Sequence, residues 1–375
     1  MDHTLECFAV AAPGVEPVTA GELAALGLGG IVEPGGVTFR ATLAGVMEAN
    51  LRLRTASRVL VRVARFRART FPELERHAGR LDWGAWVGRG VGVEFEVTSK
   101  KSRLYHLKGI AERMGRGVEQ IASGAERPRH DSGREQGRQL FVVRVVRDEF
   151  MVSVDSSGEL LHRRGYRLET AKAPLRETLA AAMVLASGWR AERPFADPFC
   201  GSGTIAIEAA MIARRIAPGR HRAFAFERWP SFDPAAWRAL RARAEGEVLA
   251  AAPGPIVAAD RDAGAVAATR ENAARAGVAA DVLVREAPLS AFEPPGERGT
   301  LVTNPPYGVR IGEETRLRDL YATLGRLARQ RLDGWTLALL SASPVLERAT
   351  GLAWQERFRT SNGGIPVRLL TTGPV

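Results

Sequence analysis

Residues 195–213 read FADPFCGSGTIAIEAAMIA. Phe195-Ala196 end a short strand, Gly201 and Gly203 permit a tight turn, and the residues from Ile205 onward are apolar enough for a buried helix. The beat then repeats in PIVAADRDAGAVAATRENAARAG (255–277), DVLVREA (281–287) and GTLVTNPPYG (299–308). Each begins as a short apolar run and breaks at a polar residue or a glycine. Short strands alternating with helices predict an α/β doubly wound parallel sheet over residues 161–375. Later strands fit WTLALLSA (335–342) and VRLLTTG (367–373), and a helix in APLRETLAAA has Pro174 in its first turn.

Upstream, the pattern is different. LECFAV (5–10) reads as a strand, residues 19–26 as a helix started by Thr19, and IVEPGGVTFR as a hairpin turning at Pro34, Gly35 and Gly36. A helix at 42–50 and a strand at 57–66 complete a β-α-β-β-α-β order, which predicts a ferredoxin-like unit over 1–60. Residues 61–160 form a second small α/β module. It has a helix at 71–80, an alternating strand at 91–97, a helix in IAERMGRGVEQIA, a polar loop at 123–137 and a strand pair turning at Asp148-Glu149.

The chain has 375 residues and a formal net charge of +11. Residues 51–147 hold 22 Lys or Arg against 10 Asp or Glu, so this stretch carries +12 and the remainder is near neutral. Arg outnumbers Lys throughout, which a compositional bias explains, but a bias does not explain the asymmetry. A basic module beside a neutral one points to a polyanionic partner. No apolar run is long enough to span a membrane, and MDHTLECFAVAAPG lacks the basic lead of a signal peptide. The two cysteines, Cys7 and Cys200, form no CxxC motif, and the histidines are scattered. A reduced, cytoplasmic protein without a metal site is expected, preferentially a monomer.

The loop DPFCGSGT (197–204) departs from both common nucleotide loops. No Lys follows its glycines, and TIAI follows Gly203 where a dinucleotide loop would continue. A nucleoside without phosphate suits it better. Asp197 can meet an ammonium while the helix N-terminus receives a carboxylate. Asp260, ending the next strand, is placed for ribose hydroxyls. Asp262 either caps the following helix or joins the site. Glu286, at the third strand end, either accepts from an adenine amine or is a solvated loop residue.

Residues 165–375 resemble the class I methyltransferases that use S-adenosylmethionine. DPFCGSGT is similar to their first motif, Asp260 with the helix after it to their second, and NPPYG to their amine-methylation motif. More narrowly, HRRGYR (162–167), the APLRETLAAA helix and FAFERWPSFDPAAW (224–237) resemble the bacterial RNA guanine-N2-methyltransferases. In that family a THUMP RNA-binding domain, itself preceded by a ferredoxin-like segment, comes before the catalytic domain. The resemblance implies that Asp197, Phe199, Gly201, Gly203, Thr204, Asp260, Glu286 and Asn304 line the cofactor site. Glu286 stands where an Asp is more usual. It also implies structured RNA as partner and an N2-methylguanosine product, in 23S ribosomal RNA or alternatively transfer RNA. A non-catalytic RNA-binding protein and a DNA amino-methyltransferase are the rival classes.

NPPY has a chemistry of its own. A base's exocyclic amine is a poor nucleophile, because its lone pair is delocalised into the ring. Two acceptors at its hydrogens, Asn304 Oδ1 and the Pro305 carbonyl, hold it pyramidal and aim the lone pair. Pro305 keeps Asn304 extended, and Tyr307 offers a flat face to a base turned out of its helix. In-line transfer from a sulfonium needs alignment rather than a metal or a strong base. Similar motifs serve adenine, cytosine and glutamine amines, so guanine follows from the resemblance alone.

Other residues admit two readings. HRRGYR either contacts RNA phosphates or is a solvated linker. Trp229 and Trp237 read as local core rather than base stackers. Ser361, Asn362 and Gly363 form a turn that flanks the target base. Cys200 has no histidine beside it in sequence and receives no nucleophilic role.

Overall fold

The computed structural model describes residues 4–88, 90–122, 137–167, 175–308 and 313–375. Two seven-stranded sheets organise them. The first is built from β1 (Leu5–Val10), α1 (Glu16–Ala25), β2 (Gly30–Glu33), β3 (Gly36–Ala41), α2 (Leu43–Arg52), β4 (Arg58–Arg67), α3 (Phe71–Ala78), β5 (Gly92–Lys100), α4 (Leu107–Ala122), β6 (Arg138–Val146) and β7 (Glu149–Asp155). Its strand order is β2-β3-β1-β4-β7-β6-β5. The β-α-β-β-α-β order is present. Its last strand, β4, pairs with β1 on one side and β7 on the other, so the sheet runs unbroken from the first module into the second, and residue 60 lies inside the shared strand.

Local chemistry places these elements. Gly35 (φ +88°) makes the β2–β3 turn. Thr42 and Thr70 cap α2 and α3. Thr19 does not start α1, contrary to expectation. The helix begins at Glu16 with a proline in its first turn, where a missing N–H costs nothing. Thr19 instead lies inside the helix and meets Thr55 at 2.7 Å. The polar segment 123–136 and Pro174 lie outside the described residues.

At one end of this sheet the chain is held in an unusual backbone. Of the four non-glycine residues with positive φ among those described, three meet here: Lys101, Arg147 and Asp148. Asp148 Oδ1 accepts from the Arg103 amide at 2.8 Å, and Oδ2 accepts from Arg69 at 3.1 Å. Arg147 N donates to the Lys100 carbonyl at 3.1 Å. This corner buries Leu104 and turns Tyr105 outward, where it is 78% exposed. Arg69, Lys100, Lys101, Arg103, Lys108 and Arg147 are exposed around it.

The second sheet comprises β8 (Phe195–Asp197), β9 (Ile256–Asp260), β10 (Val282–Glu286), β11 (Thr300–Thr303), β12 (Thr336–Ser341), β13 (Gln355–Asn362) and β14 (Ile365–Thr371), ordered β10-β9-β8-β11-β12-β14-β13. The strands through β12 are parallel and the final hairpin is antiparallel. Helices α5 (Glu177–Ala186), α6 (Thr204–Ala213), α7 (Pro234–Gly246), α8 (Ala263–Arg275), α9 (Glu313–Arg331) and α10 (Pro344–Ala349) accompany it. The order reverses between β8 and β11, so a crevice opens where their carboxyl ends part, as expected for a ligand-binding doubly wound sheet.

The insertion between β8 and β9 packs away from its own sheet. Trp229 (3% exposed) and Trp237 (4%) are core residues, but of the first module's core, among Phe141, Val46 and Met47. Trp229 Nε1 donates to Gln139 at 2.9 Å, and the Phe226 amide donates to the Ser156 carbonyl at 3.1 Å. HRRGYR is divided: Arg163 is exposed, whereas Arg164, Tyr166 and Arg167 turn inward. Arg164, 4% exposed, donates to the carbonyls of Leu161 and Arg54, both at 2.5 Å, and pairs with buried Glu208 of α6 at 3.4 Å. Burial, with arginines close by, holds His162 down at about 4, so it is neutral.

Candidate functional site

The carboxyl ends of β8, β9, β10 and β11 bring the expected residues to one edge. After β8 the chain turns through Gly201 (φ +53°) and Gly203 (φ +83°) into α6, whose first residue is Thr204. The two glycines serve differently. A side chain at Gly203 would meet Thr269 of α8 at 2.7 Å, whereas one at Gly201 would enter open space. Gly203 thus lets α8 approach, and Gly201 leaves room beside the loop.

Asp197 is fully buried. Its Oδ1 accepts from Thr303 Oγ1 at 2.8 Å and from the Phe199 amide at 3.1 Å. Its Oδ2 has no hydrogen-bond partner among the described residues. Burial pushes this carboxyl up to about 7, against the two bonds that favour its ionised form. A buried carboxylate oxygen without a donor is what a cationic ligand group would satisfy.

Asp260 ends β9 and faces the loop. Its Oδ2 accepts from the Gly201 amide and its Oδ1 from the Asp262 amide, each at 3.0 Å. Asp262 is the cap of α8, accepting from Gly264 at 2.7 Å and Ala265 at 3.2 Å. Glu286 stands in register with Asp260 on the neighbouring strand and is exposed. Phe199 is half-buried, and Cys200 is buried with its thiol pushed well above the ordinary range, which suits packing rather than attack.

NPPY leaves β11 directly. Pro305 is buried, Asn304 and Tyr307 are half-buried, and the Pro306 carbonyl accepts from Tyr321 of α9 at 3.0 Å. Tyr307 donates its hydroxyl hydrogen to Asn304 Oδ1 and accepts from Asn362 Nδ2 at 3.1 Å. Burial lifts the Tyr307 phenol to about 12, so it stays protonated at neutral pH. The turn expected at 361–363 is the end of β13 with its glycines, and Asn362 reaches the NPPY loop.

Thr303 was not among the expected site residues, yet its hydroxyl joins the NPPY loop to the glycine loop. Its position just before Asn304, as a polar residue closing an apolar strand, was the available signal. A hollow of about 380 Å³ bordered by Arg164, Tyr166, Arg220 and Arg275 lies elsewhere, at the far ends of α6 and α8. The described residues contain no cluster able to hold a metal ion and no helix long and apolar enough to cross a membrane.

Known proteins resemble this chain in sequence and in fold. The family described as an RMKL-like methyltransferase domain matches residues 164–370, and an RlmL ferredoxin-like domain matches residues 6–60. YpsC of Bacillus subtilis, inferred to be an RNA methyltransferase, is 35% identical over 359 residues, covering 96% of this chain and 93% of YpsC. The ribosomal RNA large subunit methyltransferase K/L of Syntrophotalea carbinolica is 36% identical over 99% of this chain and 54% of its own length. The chain therefore spans about half of that longer protein. The crystal structure of SMU.472, inferred to be a methyltransferase and solved with SAH, superposes with a TM-score of 0.89 at 34% identity, covering 100% of this chain and 99% of that one.

Proposed function

The chain belongs to the family of RMKL-like methyltransferase domains, and from that membership we propose that it methylates the exocyclic N2 amine of a guanosine in RNA, with 23S ribosomal RNA as substrate. S-adenosylmethionine supplies the methyl group as a sulfonium. The observation that carries this reading is the Thr303–Asp197 hydrogen bond. It couples the loop suited to an amine directly to the loop whose buried carboxylate has one oxygen without a hydrogen-bond partner among the described residues.

In this assignment Asp197 Oδ2 receives the cofactor's ammonium, Asp260 the ribose hydroxyls and Glu286 the adenine amine. Gly201 leaves the space, and Phe199, Gly203 and Thr204 shape the turn. Asn304 Oδ1 and the Pro305 carbonyl accept from the two hydrogens of the target amine, and Tyr307 lies against its ring. Asn304 remains neutral beside a positive sulfonium, so orientation rather than charge is its contribution. Residues 1–60 and 61–160 act as ferredoxin-like and THUMP-like RNA-holding modules before the catalytic domain at 161–375. The exposed Tyr105 among cations supports this, because an aromatic face ringed by positive charge suits an unpaired base and its phosphates.

The test uses labelled cofactor with fractionated ribosomal and transfer RNA from a strain lacking the gene, followed by nucleoside analysis. Label in N2-methylguanosine from large-subunit RNA is expected. Label in methyladenosine, or in transfer RNA only, would overturn the substrate assignment. Asn304→Ala is expected to keep cofactor binding while transfer falls by about 10²–10³-fold.

A further inference from the structure

An asparagine is a useful acceptor only if the correct end of its amide faces the substrate. Oxygen and nitrogen occupy nearly the same volume, so packing alone does not choose between them. Asn304 would present Oδ1 to the target amine. Turned over, it would present N–H to N–H and repel the nucleophile it must hold.

Three side chains settle the choice. Asn362 Nδ2 is purely a donor, and it lies 3.1 Å from the Tyr307 hydroxyl. That oxygen accepts, so its hydrogen is directed elsewhere, and it goes to Asn304 Oδ1. A carbonyl oxygen has two acceptor sites. One is filled by Tyr307, and the other remains for an amine. The backbone of Asn362 is itself held in place. The residue is 9% exposed and pairs with Ile365 across a two-residue turn, Gly363-Gly364, with φ of +57° and +85°. Ile365 and Tyr307 pack on the same apolar cluster, so the hairpin end and the NPPY loop are held together.

We propose that Asn362 is a positioning residue that sets the amide orientation of Asn304 through the Tyr307 hydroxyl, and thereby keeps the amine-binding atom an acceptor. The inference rests on the assignment of Asn304 as acceptor. It assigns the final antiparallel hairpin a part in substrate choice, because a site with this polarity accepts a group bearing N–H and rejects one that offers only lone pairs.

The test is a reversal of polarity at constant shape. In Asn362→Asp the carboxylate takes the Tyr307 hydrogen. The phenol oxygen then accepts from the amide nitrogen of Asn304, which turns over. Single-turnover methyl transfer to RNA should fall about tenfold in Asn362→Ala, for one lost hydrogen bond, and at least about 100-fold in Asn362→Asp. Calorimetric SAH affinity should be unchanged in both, which shows that the fold is retained. In a Tyr307→Phe background the relay has no hydroxyl, and the Ala and Asp variants should differ by less than about threefold. An Asp variant no worse than Ala, or a difference that persists without the hydroxyl, overturns the proposal. A second readout needs no RNA. With only four tyrosines in the chain, the ¹³Cζ resonance of Tyr307 is resolvable. It should move downfield in the Asp variant, where the hydroxyl donates to a carboxylate, and by a clearly different amount in the Ala variant, where it only loses a donor. Equal shifts overturn the relay even where no RNA is methylated. Absence of transfer by the wild-type protein, with unequal shifts retained, overturns the methylation reading alone.

Discussion

Asp197 ionises less readily than an ordinary carboxyl because it is buried, and this sets a pH dependence. In the unfolded chain it loses its proton near pH 4, but in the fold it holds that proton up to about 7. Its contribution to stability is therefore fully present below about pH 4 and is lost as pH rises through 7. A cation seated on Oδ2 favours the ionised form, so binding releases a proton at lower pH. SAH affinity measured by calorimetry should increase between pH 5 and 7, by up to about tenfold per unit, and then level. Asp197→Asn should flatten that rise and weaken binding throughout. A wild-type affinity independent of pH would remove Asp197 from contact with the ammonium. This residue could be singled out in the sequence because it ends a strand and begins a glycine loop. Its bond to Thr303 could not, since 106 positions separate the two residues.

Among the elements, the β5–α4 corner has the clearest consequence. Non-glycine residues rarely adopt positive φ, and three together are a cost that the surrounding hydrogen bonds must offset. They hold Tyr105 away from the core in a field of cations. Tyr105→Ala should lower affinity for single-stranded RNA by about 1–3 kcal/mol, measured by anisotropy, while Tyr105→Trp retains it. Equal binding by the Ala variant would place the RNA elsewhere. Regular elements were largely legible in sequence wherever apolar periodicity was strong, as in β5 and α6. The exception is instructive. In β13, QERFRTSN, only Phe358 is a buried apolar residue, with Thr360 and Asn362 as its other inward positions. Two of the three inward residues are polar, so the alternation that marks a strand does not register on a hydrophobic scale. For the same reason the partner of Tyr307 was anticipated only as a turn near the base.

At the scale of the molecule, the two tryptophans decide how the halves relate. The sequence marks 224–237 as an aromatic insertion and predicts a local core. Which core receives it depends on packing across the chain, and the structure places it against β6 and α2 of the first module. Trp229→Ala should destabilise the protein by about 3–5 kcal/mol. Loss of cofactor binding and loss of tryptophan fluorescence in denaturant should coincide in both wild type and variant. Two separated transitions would show that the halves fold independently.

The Trp229–Gln139 bond ties the insertion to the first module, and the Arg164–Glu208 pair ties the junction to α6. With both in place the protein is a calliper whose jaws are set when it folds. An RNA gripped at one jaw would offer to the other only nucleotides at a fixed reach, so a guanosine would be chosen by its distance from a landmark as much as by the letters beside it.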